Sequence, residues 1–148
     1  MTTQELSAQL AASPLKIHLI GVAGSGMTGL AGLLLTLGHE VSGSDRVDSA
    51  EVKRLRALGL DFHTPQRAED VVEAELIIYS SAIRQGNPGF DAAIKSGKPM
   101  VRRAEARAAL ILGKKGILVC GMHGKTTVSA MAAHVLRLAG AQPSHYVG

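Results

Sequence analysis

Two segments of this 148-residue chain carry residue types suited to holding phosphate. The first is Gly24-Ser25-Gly26-Met27-Thr28-Gly29, whose glycines let backbone N–H groups approach a pyrophosphate that a side chain would hold off. The second is Gly121-Met122-His123-Gly124-Lys125-Thr126-Thr127. Here Lys125 can set its ammonium against β and γ phosphates, and the Thr126 hydroxyl can ligate Mg²⁺. The backbone from Gly121 to Thr127 can form an anion nest, with His123 either positioning phosphate or supporting the turn. A full Walker A pattern would need a glycine where Val119 stands, so only the phosphate end of that motif is present. Two loops of different grammar imply two different phosphorylated ligands.

Hydrophobic periodicity supplies the elements that must position these loops. A strand over 16–22 runs into the first loop, a helix over 27–37 follows and stops at Gly38, and a strand over 39–43 completes a βαβ unit. Asp45 ends that second strand, where an acid commonly accepts hydrogen bonds from a ribose. Further on, the spacing predicts a helix over 49–58, a brief strand over 60–63 and a buried strand over 75–80. A helix opened by Asn87-Pro88 and running to 96, a strand over 99–101 and a helix over 104–112 come next. Residues 113–116 read as a hinge, after which Ile117-Leu118-Val119-Cys120 form an apolar strand leading into the second loop and a helix over 125–139. Strands alternating with helices give an α/β fold, a Rossmann-like parallel sheet with helices on both faces. Taken alone, the first loop fits NAD, FAD or another nucleoside diphosphate, or a tight turn that lets helix and strand pack closely.

Composition narrows the partners. At 46% hydrophobic and 19% charged the chain can bury one ordinary core, while 3% aromatic leaves few rings for base stacking, so nucleic acid is not an expected partner. The formal charge of +4 favours anions, but the 16 basic residues are interspersed with 12 acids. The richest basic stretch, Lys98, Arg102, Arg103, Arg107, Lys114 and Lys115, reads as a solvated face or as a rim attracting phosphates. Cys120 is the single cysteine, which excludes an internal disulfide and is expected to be an inert buried thiol. Neither a signal-peptide pattern nor a membrane-length apolar run occurs, so a cytoplasmic protein without a membrane partner is expected. His18 reads as a core or edge residue, His63 as a residue after a short strand with reach to substrate only as the lesser alternative, and His39, His134 and His145 as structural or exposed. No histidine metal site is expected.

Four ordered motifs then carry a resemblance. They are the run from Ile17 to Met27, the run from Gly38 to Asp45, Ser80-Ser81-Ala82-Ile83 with Asn87-Pro88, and Gly121 to Thr127. Together they resemble the N-terminal part of the Mur ligases. The resemblance implies a Rossmann-like domain over 14–113 that holds the UDP of a muramyl substrate, preceded by an extension over 1–13. Residues 114–148 would begin a central P-loop ATPase domain. Gly24, Ser25, Gly26 and Met27 would face the diphosphate, and Asp45 with Ser80, Ser81 and Ala82 would surround the nucleoside. Gly121, His123, Gly124, Lys125, Thr126 and Thr127 would serve ATP, Lys125 and Thr126 as catalytic residues and Thr126 as the Mg²⁺ ligand.

The implied reaction joins L-alanine to UDP-N-acetylmuramate through an acyl phosphate, a step of peptidoglycan precursor synthesis. Ala23, Met122 and Val128 depart from the residues usual in the family, which keeps open a relative that adds a recycled tripeptide to the same acceptor. The chain stops soon after the second loop, so it is expected to be an N-terminal portion that binds UDP-sugar without turning over. The apolar side of the last helix, Val128, Met131, Val135 and Leu138, is expected to pack with its strand on the first domain or to remain mobile, and could drive homodimerisation. An NAD-binding module and a non-catalytic nucleotide sensor are the rival classes.

Overall fold

The structure, a computed structural model, describes residues 1–112 and 114–144. Gly113, the first residue of the expected hinge, and His145 lie outside the described residues. Its helices are α1 (Thr3–Ala12), α2 (Met27–Thr36), α3 (Ala50–Ala57), α4 (Pro88–Ser96), α5 (Arg103–Leu112) and α6 (Lys125–Leu138). The strands β1 (Lys16–Ile20), β2 (Glu40–Ser44), β3 (Asp61–His63), β4 (Leu76–Tyr79) and β5 (Met100–Arg102) form one parallel sheet in the order β3-β2-β1-β4-β5.

That order follows from alternating apolar strands joined by right-handed crossovers. The chain steps outward from β1 to β3, then returns to the other side of β1 for β4 and β5. A reversal of direction with unchanged handedness moves the connecting helix to the opposite face of the sheet. Ile17, Leu19, Val41, Leu76, Ile78 and Val101 accordingly pack with residues of α1, α2, α3 and α5 in one core. On the other face Ile20 and Ile77 pack with Val71, Ala74 and Ala93, supplied by a short 3-10 helix (Ala68–Val71), the turn after it and α4.

Local signals explain the element ends. Asn87 caps α4 by accepting from Phe90 N at 3.1 Å, with Pro88 in the first turn, and Gly97 closes it at φ +67. Ser49 caps α3 by accepting from Val52 N at 3.2 Å. The extension over 1–13 contains α1, which the periodicity reading left without an element. Thr2 and Glu5 form a capping box, Thr2 N donating to Glu5 Oε2 at 2.7 Å and Glu5 N donating to Thr2 Oγ1 at 3.2 Å. This helix buries Leu6 and Leu10 in the same core as Ala106 and Ala109 of α5.

The region after residue 113 departs from expectation. Ile117-Leu118-Val119-Cys120 form no strand, Ile117 and Leu118 being 68% and 73% exposed, and the Cys120 thiol is exposed rather than buried. An apolar run becomes a strand only where a neighbouring backbone completes its ladder, and among the described residues none pairs with these. α6 forms as expected, yet Ala133 is its one buried residue, so the predicted packing of a strand and helix on the first domain is absent. Among the described residues no helix is long and apolar enough to cross a membrane.

Candidate functional site

Strand order reverses between β1 and β4, and the carboxyl ends of those two strands flank the crevice where open α/β sheets take ligands. The first loop leaves β1 at Gly21, whose φ of +84 is open to glycine and whose N–H donates to Ser44 O at 2.8 Å. A Cβ at Gly21 would stand 3.2 Å from Ser80 Cβ and 3.3 Å from the Ile83 side chain. The missing side chain therefore lets the turn after β4 close against the turn after β1. Gly24 N donates to Gly21 O at 3.2 Å and Met27 N to Gly24 O at 3.0 Å, curling the backbone into the first turn of α2. Gly26, at φ +83, is the N-cap of α2 and brings no side-chain cap. Among the described residues the Ser25 and Gly26 N–H groups have no acceptor, and they stand at the positive end of α2, whose Met27 and Thr28 N–H groups donate to Gly24 O. This backbone can hold an anion.

The sequence-predicted neighbours of that loop converge on it. Asp45 Oδ2 accepts from Ala23 N at 2.9 Å, while Oδ1 accepts from Arg46 N at 2.7 Å and Val47 N at 3.2 Å. Both carboxylate oxygens are thus engaged with backbone, and Asp45 fastens the loop to the end of β2. Ser80 N donates to Ile20 O at 3.1 Å, and Ser80 Oγ accepts from Ala82 N at 3.4 Å, which sets Ser81 and Ala82 exposed beside the crevice. One residue the motif reading did not single out also reaches the loop. Arg103 Nη1, at the start of α5, donates to Ser25 O at 2.6 Å. Its only signal in the sequence was membership of the basic stretch.

Below the crevice lies a polar layer on the thinner face. His18 is fully buried, with Nδ1 2.8 Å from Ser42 Oγ and Nε2 3.0 Å from Ser44 Oγ. Burial pushes its imidazolium down to about 4, so the ring is neutral near pH 7. His63 lies 6.2 Å away, ring to ring, and its two nitrogens sit 2.9 Å from Asp70 Oδ1 and 3.1 Å from Asp61 Oδ2. Its ring is bound to neighbouring carboxylates. Buried Gln66 donates to Ser44 O at 3.3 Å and accepts from Asn87 Nδ2 at 2.6 Å, tying the end of β2 to the start of α4. His39 is buried too, Nδ1 accepting from Leu15 N at 3.2 Å.

The second loop stands apart. Gly121 to Thr127 are exposed, and among the described residues no hydrogen bond or ion pair joins them to the first loop. Lys125 Nζ donates to Gly121 O at 2.7 Å and Met122 O at 3.2 Å, folding its charge back over the loop. Gly124, at φ +76, is the N-cap of α6 without a side-chain cap, which leaves the first N–H groups of that helix open. These features fit ATP: a cation held over a nest, open amides, and the Thr126 hydroxyl in the first turn. No group of three or more His, Cys, Asp or Glu suited to a metal occurs among the described residues. A depression of about 510 Å³ lies at the opposite end of the strands, lined by Lys16, His39, Glu40 and Glu73 among others, and no residue of either loop borders it.

Known proteins resemble this chain over most of its length. A family model described as "Mur ligase family, catalytic domain" matches residues 16–125. The UDP-N-acetylmuramate--L-alanine ligase of Bifidobacterium longum is 47% identical over 131 residues, a match covering 88% of this chain and 26% of that protein. The enzyme of the same name from Oleidesulfovibrio alaskensis is 43% identical over 133 residues, covering 90% of this chain and 29% of its own length. Among solved structures, UDP-N-acetylmuramate-alanine ligase from Thermotoga maritima is 34% identical with a TM-score of 0.78, covering 85% of this chain and 30% of that one. The UDP-N-acetylmuramate:L-alanyl-gamma-D-glutamyl-meso-diaminopimelate ligase from Neisseria meningitides is 32% identical with a TM-score of 0.77, covering 86% and 41%. The chain spans 26% to 29% of the length of those two curated relatives.

Proposed function

The chain belongs to the Mur ligase family, and on that premise we propose that its first loop binds the UDP of a UDP-N-acetylmuramate substrate. The observation that carries this reading is the pair of free amides, Ser25 and Gly26, at the uncapped start of α2 in the crevice between β1 and β4. The diphosphate lies on these amides and on the Met27 turn, while Ser80, Ser81 and Ala82 border the nucleoside. Asp45 acts first by holding Ala23, which orients the nest.

Residues 14–113 form the UDP-sugar unit, and the second loop belongs to a following ATP-binding unit. ATP held there would supply the γ-phosphoryl group that activates the muramyl carboxylate as an acyl phosphate, with ADP leaving, and an amine attacking the activated carbonyl would form the amide and release inorganic phosphate. Lys125 exchanges its bonds to Gly121 O and Met122 O for the phosphates, Gly121, His123, Gly124 and Thr127 line them, and Thr126 offers its hydroxyl to Mg²⁺. L-Alanine is the amine favoured by the curated relatives. The likeness to the Neisseria enzyme supports a second reading, in which the amine belongs to a peptide.

Calorimetry with UDP-N-acetylmuramate, NAD and ATP tests the assignment. UDP-N-acetylmuramate is expected to bind, and NAD binding without it overturns the reading. Gly26→Val should lose the UDP ligand, because a β-branched residue is strained at φ +83 and its side chain intrudes on the nest. Lys125→Ala should leave UDP affinity unchanged; equal losses in the two variants contradict separate ligands.

A further inference from the structure

We propose that Arg103 is a diphosphate-binding residue, contributing to the nucleotide site the charge that the glycine loop lacks; this rests on the first loop being the UDP site. Residues 21–29 include no charged side chain, and among the described residues the ionised group bonded to the loop's amides is the Asp45 carboxylate, through Ala23 N. A carboxylate beside a diphosphate repels it, so backbone dipoles alone would work against a negative neighbour. Arg103 is the cation hydrogen-bonded to the loop. Its Nη1 donates to Ser25 O at 2.6 Å, across 78 residues of sequence.

That contact fixes where the charge sits. Ser25 turns its carbonyl toward Arg103, and its N–H has no acceptor among the described residues, so the guanidinium is held against the residue whose amide opens the nest. Arg103 is half-buried, and among the described residues no carboxylate pairs with it. One of its five N–H donors holds Ser25, and the remaining four form a planar fork suited to phosphate oxygens. Its neighbour Arg102 is engaged differently, Nε lying 3.4 Å from the Tyr79 hydroxyl. Arg103 therefore acts from the start of α5 on Ser25, and Asp45 from the end of β2 on Ala23: the carboxylate sets the loop's shape and the guanidinium sets its affinity for anions.

UDP binding to the 148-residue chain, measured by calorimetry in low and high salt, tests this. Arg103→Gln can still donate to Ser25 O but carries no charge. It is expected to lower UDP affinity by roughly ten- to a hundredfold, and to make the fall of affinity with added salt shallower. A thermal midpoint near the parent's separates this from misfolding. Arg103→Lys, which keeps the charge and loses the fork, should bind between the two. UDP affinity within about threefold of the parent in Arg103→Gln, or a loss with an unaltered salt response, overturns the proposal while leaving the UDP assignment standing. Equal affinity of the Lys and Gln variants also overturns it. A parent chain that binds no UDP overturns both.

Discussion

At the scale of single residues, the fold depends on where side chains are absent or uncharged. A Cβ at Gly43 would fall 2.8 Å from Val22 Cβ, and Val22 is fully buried, so Gly43→Ala is expected to destabilise the protein by about 1–3 kcal/mol in denaturant titration. The reason for that glycine lies in a close approach between the loop and β2 that no linear pattern announces. His18 makes a pH prediction. Its folded-state value is about 4 against an ordinary 6.5, so the neutral ring is favoured by folding: stability is full above about pH 6.5 and declines as pH falls toward 4. The decline should reach on the order of 3 kcal/mol. In His18→Gln, which keeps polar atoms for Ser42 and Ser44 but does not titrate, stability between those pH values should be flatter. An identical pH profile would assign the acid sensitivity elsewhere.

At the scale of elements, α1 is the clearest gain over the sequence. Its heptad signal is carried by only Leu6 and Leu10 within a mostly polar run, too little to distinguish a docked helix from an extension. Packing with α5 decides it, and Leu6→Ala should cost roughly 2–5 kcal/mol, read as a lowered midpoint. The strands were legible because each is a short apolar run bounded by glycine or polar turns, and the helices over 27–37, 49–58 and 88–96 because caps and glycine stops mark their ends. Ile117 to Cys120 has the same apolar look and no partner, which shows the limit of such reading: composition proposes a strand, and only a neighbouring strand makes one. The nest residues Gly24 to Met27 were legible for the same reason as the strands, from local sequence. Arg103 was not, because its relation to Ser25 is made by the sheet, which sets β5 beside β4 and β4 beside β1. The basic stretch likewise resolves into separate tasks, Lys98 donating to Val72 O and Ala74 O at 2.6 and 2.8 Å while Arg103 faces the loop.

At the scale of the molecule, the two loops sit on unlike foundations. The first is rooted in a packed sheet, whereas α6 carries Met131, Val135 and Leu138 at 63%, 61% and 76% exposure. Replacing Val135 and Leu138 by Lys should move the thermal midpoint very little, within about 0.5 kcal/mol each, and a large loss would mean that this helix face is covered in solution. The crevice behaves otherwise, since its rim is assembled from the end of β2 through Asp45, the turn after β4 through Ser80, and the start of α5 through Arg103. Those three supports come from separate stretches of the chain, so a partly unfolded molecule has no such crevice. On the proposed assignment a ligand in that crevice works as a fastener: at a hundred times its dissociation constant UDP should add about 2.7 kcal/mol to the folded state and raise the thermal midpoint accordingly.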